Sequence, residues 1–560
     1  MPRRPGSDLE LPSSSKLRLW SVAFAMAAIT AQACVFRNAM QPDSIAYLDM
    51  GDAIAHGKWK IAINGYWSPL YPAIQGVMLR LVHPSAYWEA STAHLVNLFC
   101  YFVALAAFLF LWREVRERTP DNISQQTDDA LCSAWTLLGC SLFLWAATIL
   151  TSPADLSPDV LVLAVVFAAS ALVLRIRRDQ RSWSSYAWLG IVLGIGYLSK
   201  AVMFPVGFGF LATAFLAGGK WRRGIPRLMI AAALFLAVSA PWLAAMTWLK
   251  GRPSFGSVGT LSYAEFVNGA LRPQDYAGVH LPVGAKLVHP VRKLHENPPV
   301  YEFGTPVGGS YPFWYDSSYW LEGLHPQFHL TQQLRIILKN VYAQLSLPGQ
   351  RAWIATALLL LVLASDRRAA IRSVANQWPI LLPALMGCFL YALVLSESRY
   401  LAPYFVLMWA GVLTGIAATG NAGFRRILKG VAVTAAVMMA VSTTIDTASA
   451  AWQSEKAFPQ WQVAQQLSKS GFGDGTSVAS IGRTFDAYWA RLAHLKIVAE
   501  VPAPESAIFW EANPSLREEV LRALARAGAK AVVAKVPVRD PGPGWAKLGD
   551  TGYFVYTFAK

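Results

Sequence analysis

Charge is scarce in this sequence. Only 15% of its 560 residues are Asp, Glu, Lys or Arg, against about 25% in an ordinary soluble domain, and a soluble enzyme of this length is excluded. Cysteine is scarcer still. Cys34, Cys100, Cys132, Cys140 and Cys388 all fall inside apolar runs, and an odd, buried set of that kind is no disulfide framework. Internal repeats, low-complexity tracts, a Walker motif and a dinucleotide fingerprint are missing. The stretch 471–475 is glycine-rich but has the wrong spacing and reads as a turn. What is abundant is apolar: 54% hydrophobic residues, 22 Trp, 20 Tyr and 27 Phe, with a mean hydropathy of +0.35. Disorder is thereby excluded, and a polytopic membrane protein remains.

A crossing helix needs about 20 apolar residues. Spans are expected near 17–36, 94–112, 131–150, 160–174, 186–199, 202–217, 228–249, 353–364, 378–395, 404–419 and 431–445. The net charge of +16 suggests nucleic acid until its placement is considered. Arg3, Arg4, Lys16 and Arg18 precede the first span. Alternate loops then carry Arg113, Arg116 and Arg118; Arg175, Arg177, Arg178 and Arg181; Lys220, Arg222, Arg223 and Arg227; Arg367, Arg368 and Arg372; and Arg425, Arg426 and Lys429. The intervening short loops hold almost only Lys200 and Arg399. The basic side is the cytoplasmic side, so the charge is largely a topology signal and no nucleic-acid partner is expected. The expected fold class is a polytopic α-helical membrane protein of about 11 transmembrane helices, N-terminus in and C-terminus out, with a C-terminal non-cytoplasmic α/β domain. Residues 1–16 form the cytoplasmic N-terminus, 17–445 the membrane domain with outer loops 37–91 and 250–351, and 446–560 the tail domain. Ala31-Gln32-Ala33 has the form of a signal-peptidase site, but the span is long for a signal peptide and reads as retained.

In the tail, 476–481, 496–501 and 531–535 read as strands. Asn513-Pro514 opens a helix ended by Gly528, and 548–558 reads as a hairpin. In the first outer loop, 44–56 reads as a short amphipathic helix lying on the membrane. Asp43 stands at its start, either as an N-cap carboxylate or as a catalytic group at the water–lipid boundary. Asp159, or Asp155 before it, opens the fourth span as a helix-start acid or a functional one. Lys200 is a lone cation between two apolar runs, suited to a phosphate or to snorkelling. Arg399 could hold a phosphate bidentately or pair locally with Glu397. His280, His289, His295, His325 and His329 match no zinc spacing. No cofactor or metal is expected.

Asp43, then Tyr47-Leu48-Asp49-Met50-Gly51-Asp52, then Trp67-Ser68-Pro69-Leu70-Tyr71-Pro72 resembles the first outer loop of the GT-C glycosyltransferases. These include the protein O-mannosyltransferase and aminoarabinose transferase relatives and the bacterial RgtA/B/C/D-like group. The turn around Ser199-Lys200 and the segment Arg399-Tyr400-Leu401-Ala402-Pro403 are similar to two further family motifs. The resemblance implies a glycosyltransferase of the bacterial inner membrane working at its periplasmic face. The donor would be a polyprenyl-phosphate sugar, and the acceptor a lipid, glycan or protein. It implies catalytic roles for Asp43 and Asp159, carrier-phosphate binding by Lys200 and Arg399, and acceptor or sugar contacts from Asp52, Trp67, Tyr71 and Glu397. Membrane lipids complete the partners, and transfer is expected to invert the sugar. A transporter or flippase for a lipid-linked sugar and a non-catalytic scaffold are the rival classes. A transporter is expected to keep its ionisable residues near the bilayer midplane, whereas here they cluster at the outer ends of spans.

Overall fold

The computed structural model describes residues 14–117, 129–219, 221–270, 286–303, 307–453, 458–536 and 541–558. Arg3, Arg4, Arg118, Lys220 and His280 lie outside the described residues.

Helix α1 (Ser14–Val35) leads into the first outer loop, which holds α2 (Pro42–Ala55), α3 (Trp59–Ala62) and α4 (Leu70–Val82). The next helices are α5 (Glu89–Arg116), α6 (Asp129–Leu144), α7 (Asp159–Arg178), α8 (Trp183–Ser199), α9 (Met203–Ala217) and α10 (Trp221–Lys250). Helix α6 runs on as a wider π-helical turn, Trp145–Leu150. The second outer loop contains α11 (Val258–Ser262), the π-turn Tyr263–Val267, strands β1 (Arg292–Glu296) and β2 (Pro299–Glu302), and the short helices α12 (Pro312–Tyr315) and α13 (Ser317–Trp320). After it come α14 (Leu330–Leu345), α15 (Gln350–Leu363), α16 (Arg367–Ala375), α17 (Trp378–Ala392), α18 (Ser398–Ala417) and α19 (Ala422–Gln453).

Among the described residues, seven helices are long and apolar enough to cross a membrane, or nine if each of two bent pairs is counted as one span. Every stretch expected to span is helical. The shortfall from eleven comes from length. Helices α8 and α9 have 17 and 15 residues. Helices α15 and α17 are second arms of pairs bent by 75° and 72°. The bend before α15 explains an unusual helix. Helix α14 turns Gln333, Asn340 and Gln344 inward, where they donate to the carbonyls of Leu393, Ala392 and Cys388 at 2.9–3.0 Å. Its apolar row Leu330, Leu334 and Leu338 faces outward, as suits a lipid-facing helix whose polar groups must find partners inside the protein.

Helix α2 differs from the expected membrane-surface helix. Ser44, Ile45, Ala46, Tyr47, Leu48, Met50, Gly51 and Ala53 are all buried, because the helix is covered on several sides. Helix α4 crosses it at backbone contact. A Cβ on Gly76 would stand 2.0 Å from the Gly51 carbonyl oxygen, and one on Gly51 2.5 Å from the Pro72 carbonyl oxygen. The N-cap is Gln41, with Pro42 in the first turn, so Asp43 is not the capping residue.

The tail contains α20 (Pro459–Lys469), β3 (Ser477–Gly482), α21 (Tyr488–Leu492), β4 (Lys496–Pro502), α22 (Ser506–Glu511), α23 (Pro514–Arg526), β5 (Ala531–Lys535), β6 (Trp545–Lys547) and β7 (Tyr553–Thr557). The three expected strands and the helix fall where the sequence put them, while the first strand of the hairpin, Trp545–Lys547, lies ahead of the expected 548–558. The Asn513 side chain accepts from Leu516 N at 2.9 Å, and Gly528 takes φ +87° past the helix end. One feature was not foreseen. The seven-stranded sheet runs β1-β2-β4-β3-β5-β7-β6, with β4, β3 and β5 parallel and β2 antiparallel to β4 through Tyr301 opposite Glu500. The α/β unit therefore draws two of its strands from the second outer loop. Alternation along the strands gives the sheet two buried faces. Ala479, Ile481, Val532 and Ala534 pack on Phe509, Val520 and Leu524. Val478, Ile497 and Val533 join the main core on the other side.

Candidate active site

Residues of the two long loops, the helix ends at Asp159, Lys200 and Arg399, and the tail line a cavity of about 880 Å³. Four of its charged residues come from separate places in the chain. Asp43 is held in the first turn of α2, and Asp159 opens α7 just after Pro158. Lys200 lies in extended backbone between α8 and α9, where helix α8 has just ended, and Arg399 is in the first turn of α18.

These side chains form one chain of contacts. Arg399 Nη2 lies 3.2 Å from Asp43 Oδ2, and Arg399 Nε 3.7 Å from Asp159 Oδ2. Lys200 Nζ donates to Asp159 Oδ1 at 2.5 Å. Ser157 Oγ donates to Asp159 Oδ2 at 2.6 Å. Tyr400 sits beneath both cations, with Lys200 Nζ 3.7 Å and Arg399 Cζ 5.1 Å from its ring centroid. Exposure separates the roles these residues can play. The Asp159 side chain is 3% exposed, whereas Asp43, Arg399 and Lys200 keep 20–23%. Asp159 is a buried counter-ion with both oxygens engaged. Asp43 and the two cations keep a face toward the cavity.

The aromatic wall follows from the loop chemistry. Asn64 Oδ1 accepts from the Tyr66 and Trp67 amides at 3.1 and 2.8 Å, which turns the chain so that both rings face the cavity. Trp67 Nε1 donates to the Tyr315 carbonyl at 3.1 Å, and Trp314 packs edge-on against Trp67 with centroids 5.8 Å apart. From the tail, Gly482, Arg483, Thr484, Phe485, Ala503 and Pro504 complete the lining.

Of the residues singled out from sequence, Asp43, Asp159, Lys200, Arg399, Trp67 and Glu397 border this one cavity. Asp52 and Tyr71 do not. Asp52 ion-pairs with Arg491 of the tail at 2.8 Å. Tyr71 is fully buried, its hydroxyl bonded to Asn97 and Gln75. Arg399 pairs with the two aspartates rather than with Glu397. Asp155 faces Gln41, whose side-chain amide donates to it, and burial pushes its carboxyl up to about 6. Sequence reasoning missed Tyr400 as a cation platform, Glu265 in the lining and the tail's share of the wall. Tyr400 was legible beside Arg399. The tail residues carried no local signal.

Residues 68–244 match the family described as dolichyl-phosphate-mannose-protein mannosyltransferase. That stretch includes Asp159 and Lys200 and leaves Asp43 and Arg399 outside. No curated protein matches the chain by sequence. Among solved structures, the chain is similar to ArnT from Cupriavidus metallidurans in the apo state, with a TM-score of 0.53 and 12% identity over 96% of this chain and 97% of that one. It is similar also to the same protein bound to undecaprenyl phosphate, with a TM-score of 0.52 at the same identity and coverage. The archaeal oligosaccharyltransferase AglB from Archaeoglobus fulgidus aligns at a TM-score of 0.47 and 10% identity, over 92% of this chain and 69% of that one.

Proposed function

We propose that the chain is a membrane glycosyltransferase of the GT-C superfamily and that it moves a sugar from a polyprenyl-phosphate carrier to a lipid, glycan or protein acceptor. The site would face the periplasm of a bacterial inner membrane. The chain would cross that membrane eleven times, N-terminus in and tail out, with α8 and α9 as short spans and each bent pair as one. The observation that carries the reading is the Asp43–Arg399–Asp159–Lys200 chain at the wall of a large, aromatic-lined cavity. An ArnT structure of the same fold is bound to undecaprenyl phosphate, which supports a lipid-phosphate ligand in general terms.

In this reading Lys200 and Arg399 receive the carrier phosphate and stabilise the charge that grows on it as the sugar C1–O bond breaks. Asp159 is a positioning residue that keeps both cations charged and aimed. Once Arg399 turns to the phosphate it releases Asp43. The free carboxylate then accepts the proton of the acceptor hydroxyl as the new C1–O bond forms. A single displacement of this kind inverts the anomeric centre.

The test is mass spectrometry of cell-envelope glycolipids and glycans from three strains: a deletion, the deletion with wild type, and the deletion with Asp43→Asn at equal expression. One sugar mass is expected to vanish on deletion and return with wild type. With Asp43→Asn it should stay absent while polyprenyl-phosphate sugar accumulates. Full restoration by Asp43→Asn would remove the catalytic assignment and favour a scaffold or an enzyme centred elsewhere.

A further inference from the structure

Among the described residues, none gives the Glu265 carboxyl a hydrogen bond or an ion pair. Glu265 lies on the π-turn Tyr263–Val267 and borders the same cavity as Asp43. Its Oε1 is shut off from solvent with no hydrogen-bond donor. No described residue forms an ion pair with it, whereas Asp43, Asp159, Lys200 and Arg399 across the cavity are paired with one another. Burial pushes the group up to about 7.

The turn cannot relax this by swinging away. On one side the Tyr263 hydroxyl donates to Gln333 Oε1 at 2.7 Å, and Gln333 donates on to the Leu393 carbonyl at 2.9 Å. On the other side Asn268 and Gln327 exchange two hydrogen bonds of 2.7 and 2.9 Å. A buried, unsatisfied acceptor costs free energy in the empty protein. Glu265 borders the cavity, so a rotation of its side chain that brings the closed-off oxygen to the wall is favoured by an occupant that supplies the missing donor. The four-residue cluster does not supply one, because its two cations already face its two aspartates.

We infer that Glu265 is a specificity-determining residue that accepts a hydrogen bond from a hydroxyl or ammonium group on the sugar being transferred. This rests on the transferase reading above and adds to it the donor-side contact. A site built around an acceptor rejects a ligand that lacks the donor far more strongly than an apolar pocket rejects a misfit. Glu265 would thus select among carrier-linked sugars, while Lys200 and Arg399 hold the phosphate that all of them share.

The physical signature is an opposition between stability and activity. A side chain bonded within the protein destabilises it when removed. An unpaired buried carboxyl does not, because replacing it with an apolar isostere leaves no group unsatisfied. Glu265→Leu and Glu265→Gln are therefore placed in the deletion strain beside wild type and Asp43→Asn, with product quantified by mass spectrometry and melting measured on the purified full-length proteins. The expected result is a Glu265→Leu protein melting at or above wild type with product reduced tenfold or more. Glu265→Gln keeps an acceptor oxygen but not the charge. Product within about threefold of wild type identifies a hydroxyl partner, and a loss as deep as that of Leu identifies an ammonium. The inference is overturned if Glu265→Leu makes wild-type product, or if it melts several degrees lower, which would mean its partner is within the protein. The two failures are distinguishable. If no sugar mass depends on the wild-type gene, the transferase reading has failed. If Asp43→Asn abolishes the product and Glu265→Leu does not, only the present inference has.

Discussion

At the scale of single residues, the two aspartates of the cluster carry similar sequence signals and hold different positions. Asp43 and Asp159 each stand at a helix start beside a proline, where a carboxylate complements the helix dipole. The structure separates them by what surrounds each one. Asp159 has Lys200, Arg399 and Ser157 on its oxygens, whereas Asp43 has one arginine and an open face. Asp155, the third acid of this region, is tied to Gln41 and stands outside the cavity lining, and its surroundings make a pH prediction. Its carboxyl, raised to about 6 by burial, favours the folded state while protonated. That contribution is complete below the ordinary carboxyl value near 4 and is lost as pH rises through 6. Asp155→Asn keeps an oxygen for the Gln41 amide and has no proton to lose. The variant should melt no higher than wild type at pH 4 and higher than wild type at pH 8. Parallel melting curves across that range would count against a raised carboxyl. The charged residues of the cluster were legible in sequence because a lone cation between apolar runs is conspicuous. Glu265 was not, because an acid in an outer loop is ordinary until its surroundings are known.

At the scale of elements, sequence patterning located the helices better than it located their surroundings. A run of apolar residues identifies a span, but it does not say whether the run is straight. The bends before α15 and α17, and the shortness of α8 and α9, are decided by packing between helices rather than by hydropathy. Helix α2 shows the same limit. Its apolar positions suggested a membrane-surface helix, yet it is enclosed because Gly51 and Gly76 let α4 approach at backbone contact. This contact fixes the helix that carries Asp43. A methyl at Gly76 meets a carbonyl oxygen at 2.0 Å, which no side-chain rotation relieves. Gly76→Ala is expected to destabilise the protein by about 2–3 kcal/mol and to lower transfer by displacing Asp43. Gly57→Ala is the control. Gly57 has φ +68° and nothing within 4 Å of the added carbon, so only backbone strain of about 1 kcal/mol is expected there. Thermal melting with product quantification compares the two. Equal effects would mean that the close crossing does not set the position of α2.

At the scale of the whole molecule, the tail and the membrane domain meet through one arginine that no local pattern marked. Arg491 on α21 is 5% exposed and reaches three carboxylates of the first outer loop and α5. Its distances are 2.7 Å to Asp49, 2.8 Å to Asp52 and 2.9 Å to Glu89. Tyr488 adds a hydrogen bond to Glu89 at 3.0 Å. Asp49 is held from a further side by the Ser310 amide and hydroxyl, and in this way tail, second outer loop and α2 share one buried knot. The strands β1 and β2, lent by the outer loop to the tail's sheet, make the same connection through backbone. The tail is thus tied to the helix that carries Asp43, and its Arg483–Thr484–Phe485 segment lines the cavity. Removing Arg491 leaves Asp49 and Glu89 buried without a cation, and breaking a buried ion pair in this way costs about 3–5 kcal/mol. Arg491→Met is expected to lower the melting temperature by several degrees and to reduce transfer, because the tail no longer holds its part of the wall. Glu89→Gln combined with Arg491→Met should cost less than the two single changes added together, since they remove one shared interaction. Strict additivity would show that the arginine and the glutamate act independently, and the tail would then be held by its strands alone.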